Sequence, residues 1–307
     1  MEKRLTRSEL IFSLGFIFML VVAVGAFFYG AKIGAEKTEA KYVEQAKHLT
    51  GAAAKPGSYP QQDLVSFYHT VFLPYREFQS EWYKTMEKMN SGQLAEPASA
   101  LKELSSLAKQ KYAQAQTASV ASSSPLLQQA QVEILKGLKL LGEAASRGAV
   151  SSKDVETDEL LVALKKDSYY KEGVEQLMSG QLDYYQSMLR WSNTVNKKIP
   201  ATYEPASILG INQWKTLPLT VKNKLMADHM KARMLMTSYY PQDLVSAVDD
   251  YIMSGEAAKM KMKSVDAVVD LLVNANAVRS GDFLSSKAKV YGKETIPQLP
   301  FFYPEEN

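Results

Sequence analysis

Hydrophobic positions along the chain fall into two regimes. From Leu10 to Ala31 they run almost unbroken (LIFSLGFIFMLVVAVGAFFYGA), without a charge, between Glu9 and Lys32. As a helix this segment is about 33 Å long, against a hydrocarbon core of about 30 Å. A buried helix of a globular protein would show a polar face within six turns. Here only Ser13 and Tyr29 are polar, and Tyr29 stands where an interfacial aromatic belongs. The pattern predicts one transmembrane anchor. A cleaved signal peptide is the competing expectation, since Lys3, Arg4 and Arg7 precede the run and Ala23, Gly25 and Ala26 are small. The apolar stretch exceeds the 7–15 residues of a signal core, which favours an uncleaved anchor. Basic residues flank both ends, so their count leaves orientation undecided. A short basic amino terminus ahead of a long domain favours a cytoplasmic terminus, with the bulk outside.

Beyond Lys32 the pattern becomes periodic. Lys32–Leu49 reads as a helical stalk, and Gly51–Tyr59 as a linker. After Pro60, Leu64, Tyr68, Val71, Tyr75, Phe78, Trp82 and Met89 follow at helical steps and form one stripe. Pro74 inside that stripe predicts a kink or a second helix start. Helices are expected over Glu96–Val120, from Pro125 to Gly148 with Ser124 as N-cap, over Lys153–Lys166 and over Tyr170–Val195. Pro200, Pro205, Gly210 and Pro218 interrupt the pattern. Further helices are expected over Val221–Met236, Pro241–Met253, Ala257–Val278 and Asp282–Tyr291, and then an extended tail.

The expected fold class is therefore all-α: one N-terminal transmembrane helix followed by helical bundles with long amphipathic helices. The plan divides into a cytoplasmic tail (1–9), anchor (10–31), stalk and linker (32–58), helical bundle (59–198), proline-containing connection (199–220), second helical segment (221–293) and Pro/aromatic tail (294–307). Tyr59-Pro60-Gln61-Gln62-Asp63-Leu64-Val65-Ser66 echoes Tyr240-Pro241-Gln242-Asp243-Leu244-Val245-Ser246. The likeness ends with the helix start, which suggests shared helix-start chemistry rather than a duplicated unit.

Composition narrows the functions. In 307 residues, 36 Lys plus Arg face 33 Asp plus Glu, a net charge of +3 that argues against nucleic-acid binding. With no cysteine, disulfides, thiolate nucleophiles and Cys-ligated metals are excluded. The three histidines, His48, His69 and His229, show no metal-ligand spacing, and no hydrolase elbow, phosphate loop or dinucleotide motif is present. No cofactor or catalytic residue is expected. The Glu77/Glu81 and Asp249-Asp250 pairs read as solvated surface.

Three sets of residues remain as candidate interaction sites. Ala26, Gly30 and Gly34 place small residues at intervals of four, a spacing that lets membrane helices approach closely, although Gly and Ala are also common in any membrane helix. Tyr68, Tyr75, Trp82, Tyr184 and Trp191 are either bundle core, which their helical spacing favours, or the lining of a ligand groove. Phe301, Phe302 and Tyr303, stiffened by prolines, either pack on their own bundle or dock on a partner. Lys259, Lys261 and Lys263 make the carboxy-terminal part locally basic, which suits either snorkelling lysines or contact with anionic headgroups.

The expected function is a membrane-anchored interaction or scaffold protein of the bacterial cell envelope, not an enzyme, held by the lipid bilayer and meeting a protein partner or a second copy. A sensor or small-ligand-binding module is the first alternative. An envelope enzyme with an unrecognised acidic site is the second.

Overall fold

The computed structural model describes residues 57–152, 155–205 and 208–303. The expected anchor and stalk, with Ala26, Gly30 and Gly34, lie outside the described residues. No helix among the described residues is long and apolar enough to cross a membrane. The described residues fall within one compact unit, Lys55–Asn307, and their secondary structure is helical apart from an isolated bridge between Gly210 and Ser264.

Helix α1 (Gln61–Phe67) runs through a π-helical turn, Tyr68–Phe72, into α2 (Leu73–Asn90). Of the two outcomes expected at Pro74, a kink or a second helix start, the structure shows a helix start, one residue earlier at Leu73. Phe72 and Leu73 keep right-handed helical backbone, and Pro74 occupies the first turn of α2, where its missing N–H costs little. The wide turn just before it absorbs the irregularity.

Helices α3 (Pro97–Gln116) and α4 (Pro125–Ser151) each start with proline in the first turn. They are followed by α5 (Thr157–Lys166) and α6 (Ser168–Val195). The Asp167 carboxylate caps α6 by accepting the Tyr169 and Tyr170 amides at 2.8 and 3.2 Å. Helix α4 packs against α3 on one side and α6 on the other. Glycine permits the second contact, because a Cβ on Gly180 would stand 3.0 Å from the Ala130 carbonyl oxygen and 2.7 Å from Ile134.

The proline-containing connection holds a short helix, α7 (Ile211–Trp214), with Trp214 fully buried. Next come α8 (Leu219–Ala232) and α9 (Pro241–Met253). The single helix expected over Ala257–Val278 is instead two, α10 (Glu256–Lys259) and α11 (Val265–Asn274). Lys261 takes a left-handed backbone (φ 53°) between them, and Ser264 caps α11 through the Ala267 amide. Helix α12 (Asp282–Val290) and a 3-10 turn, Pro300–Phe302, complete the described chain. Helix α6 also packs on α8, and α9 packs on α8, α11 and α12, so helices before and after the connection share one hydrophobic core.

The echoed helix starts use one device twice. Asp63 accepts the Ser123 and Ser124 hydroxyls at 2.5 and 2.7 Å, tying α1 to the α3–α4 turn. Asp243 caps its own helix through the Tyr240 amide and also accepts the Gly281 and Phe283 amides at 3.2 and 3.1 Å, tying α9 to the start of α12. In both, an acid in the first turn answers the positive end of its helix and a remote donor together.

Candidate functional site

The aromatic candidates converge, but on the core. Tyr75 and Tyr184 are fully buried, and Tyr68, Trp82 and Trp191 are at most 8% exposed. The Tyr184 hydroxyl donates to the Leu64 carbonyl at 2.9 Å, and Trp82 stacks on Tyr170 with centroids 5.9 Å apart. Bundle core, the outcome their spacing favours, is what all five form.

Of the two fates open to the tail, packing on its own bundle is the one observed for Phe301 and Phe302. Phe301 enters the same cluster, within 5.4 Å of Tyr68 and 5.2 Å of Tyr240, while Phe302 meets Phe283 at 5.6 Å. Tyr303 stays partly exposed, its ring 3.1 Å from the Lys287 ammonium and its hydroxyl accepting from Gln298 at 2.9 Å. Two candidate sets far apart in sequence are thus brought together, and neither Phe301 nor Phe302 is free to dock elsewhere.

The acidic pairs separate. Glu77 and Glu81 are exposed and pair with Lys111 and Lys84. Asp250 is exposed, whereas its neighbour Asp249 is buried and accepts four bonds, which corrects the expectation of a solvated pair. Lys222 gives two at 3.0 and 2.9 Å, the Trp214 indole one at 2.6 Å and the Tyr291 hydroxyl one at 2.7 Å. Every lone-pair direction of the carboxylate is used, as a buried charge requires. Burial, with the Asp249 charge alongside, pushes the Tyr291 phenol far above its ordinary range. The cluster bolts α7, α8 and the end of α12 to α9.

A second buried polar group surrounds Arg76. Its guanidinium lies 3.8 Å over the Tyr240 ring, donates to Gln79 at 2.9 Å and to the Ser238 carbonyl at 2.9 Å. Gln79 in turn donates to the Thr237 carbonyl at 2.8 Å. Together they hold the α8–α9 loop on α2. Neither cluster has a local sequence signature, because the partners lie on different helices.

One carboxylate pair was not foreseen. Asp183 on α6 faces Glu133 on α4, and each keeps a buried oxygen without a hydrogen-bond partner. Burial first, and the Glu133 charge second, push the Asp183 carboxyl up to about 6, against the pull of Lys231. His229 lies 4.0 and 3.9 Å from Asp266 and Asp270, and burial lowers its pKa. Among the described residues, no group of three or more His, Asp or Glu side chains is placed to hold a metal ion.

At the surface, a shallow groove of about 260 Å³ runs between α3 and α4. Leu138, Ala108 and Gly142 make its floor, Tyr112 one wall, and Lys109, Lys139 and Glu143 the charged rim. A Cβ on Gly142 would stand 3.0 Å from that of Ala108, so this glycine keeps the floor close to α3.

No family model, curated protein or solved structure matches the chain.

Proposed function

We propose that this chain is a membrane-anchored α-helical interaction protein of the bacterial cell envelope. In this reading Leu10–Ala31 is the anchor and the Lys55–Asn307 unit is a rigid platform for a protein partner. One observation carries it: the aromatics that would line an internal ligand site are spent in the core, knitted by Phe301 from the far end of the chain. A core closed in this way suits a body that acts through its outside.

The α3–α4 groove is the face we assign to the partner. An apolar floor rimmed by lysine and glutamate suits an amphipathic helix, with Tyr112 as the aromatic anchor. A photocrosslinking amino acid at Lys139, in the full chain in native membranes, tests it. The expected result is a discrete adduct that Tyr112→Glu abolishes. An adduct that survives Tyr112→Glu, or none at all from folded protein, rejects the assignment; an adduct of twice the chain's mass identifies a second copy as the partner.

A further inference from the structure

A different face of the unit combines exposed apolar side chains with an excess of lysine. The segment around Gly210 pairs with the α10–α11 turn: the Val265 amide donates to the Leu209 carbonyl at 2.9 Å and the Ile211 amide to the Lys263 carbonyl at 3.2 Å. This short ladder holds two otherwise irregular segments side by side. Between them and α10 lies a cleft of about 370 Å³ with Ile211, Ile252 and Met262 in its wall and Lys215 and Lys263 at its mouth.

At the edges of the paired segments, Ile208 is 75% exposed and Met260 55%. Single exposed apolar residues are ordinary. Here Ile208 adjoins one of the paired segments and Met260 the other, with Lys259, Lys261 and Lys263 exposed beside Met260 and Lys215 exposed in the cleft lining. Of the acids, Glu256 stands in the same turn, already bonded to Lys259 at 2.6 Å. The left-handed backbone at Lys261, costly for a lysine, separates Met260 from Met262, so that Met262 packs on the core while Met260 remains outside.

We propose that this face, centred on Met260 and Lys261, is a contact surface for an anionic lipid bilayer. The lysine ammoniums meet headgroup phosphates, and the Ile208 and Met260 side chains enter the boundary between headgroups and acyl chains. The charge complements an anionic surface, and the unbranched Met260 side chain adapts to a fluid interface. An acidic protein partner is less well matched, because such a partner needs a shaped apolar hollow to fill, and neither Ile208 nor Met260 lines the cleft. The inference goes beyond the anchor, since it rests on described residues alone.

The test uses the full chain with vesicles and exploits the absence of native cysteine. A fluorophore at Met260→Cys is compared with one at Val132→Cys, another exposed apolar site (65%) on α4, and quenching by a lipid-borne quencher is read. In vesicles of phosphatidylcholine with phosphatidylglycerol, the probe at 260 should be quenched strongly and that at 132 weakly. In pure phosphatidylcholine the difference should vanish. Each lysine near an anionic surface is worth about fivefold in partitioning, so a K259E/K261E/K263E variant should weaken the hold of this face by at least on the order of a hundredfold, read as loss of the quenching at 260. Circular dichroism of that variant should be unchanged.

Equal quenching at 260 and 132 in anionic vesicles overturns the proposal. So does quenching at 260 that ignores lipid charge. Flotation with pure phosphatidylcholine vesicles reads the anchor separately.

Discussion

The Phe301 ring stacks on Tyr240, with centroids 5.2 Å apart and planes 18° from parallel. Tyr240 carries the Arg76 guanidinium on its ring, and Phe301 also touches Tyr68, Phe72 and Tyr184. The tail is therefore a keystone between the π-helical turn, α6 and the start of α9. Phe301→Ala should destabilise the unit by about 3–5 kcal/mol, the cost of emptying a buried phenyl site. Urea unfolding followed by circular dichroism measures it. A loss below about 1 kcal/mol would mean that the tail is dispensable to the core.

Asp249→Ala should cost about 3–5 kcal/mol in the same assay, because it strands the buried Lys222 ammonium and removes the acceptor of Trp214 and Tyr291. Pairing it with Lys222→Met should recover part of the loss, since the double variant leaves no unpaired charge. A double variant as unstable as the sum of the two singles would show that the charges are not coupled.

Asp183 predicts the opposite sign. Its folded pKa of about 6 lies above the ordinary 3.8, so the folded state holds the proton better than the unfolded chain. Its stabilising contribution is complete below the ordinary value and is lost as pH rises through about 6. At neutral pH the ionised carboxylate is therefore a liability beside Glu133. Asp183→Asn should stabilise the unit at pH 7–8 by about 1–2 kcal/mol, a figure discounted because the group is only partly buried and water screens it. Denaturation curves between pH 4 and 8 should show the gain shrinking towards zero at the acid end. A gain independent of pH would assign the effect to something other than this ionisation.

Local chemistry explains which features were legible in the sequence. Helix α9 begins at Pro241 and ends at Met253 as expected, because proline marks its first turn and Ser254-Gly255 follows its last. The stripe from Tyr68 to Trp82 announced itself as core by spacing. The break after Lys259 did not, since Met260-Lys261-Met262 contains no glycine or proline and the segment that follows pairs at Ser264 with Gly210, far back in the sequence. Asp249 read as surface for a related reason. Its partners lie 27, 35 and 42 residues away, and no local pattern encodes a contact at that range. The Phe-Phe-Tyr tail was conspicuous, but its place against Tyr240 depends on the whole core being assembled.

In the proposed function the anchored unit would lie outside the cytoplasm, and the chain's lack of cysteine gives that proposal a clean test. Ser122 is exposed in the turn between α3 and α4. With Ser122→Cys in the full chain, intact cells are treated with a membrane-impermeant maleimide and the membrane fraction is collected. The account predicts labelled protein that stays in the membrane fraction after an alkaline wash. Protein labelled only after lysis, or recovered in the soluble fraction, would contradict it.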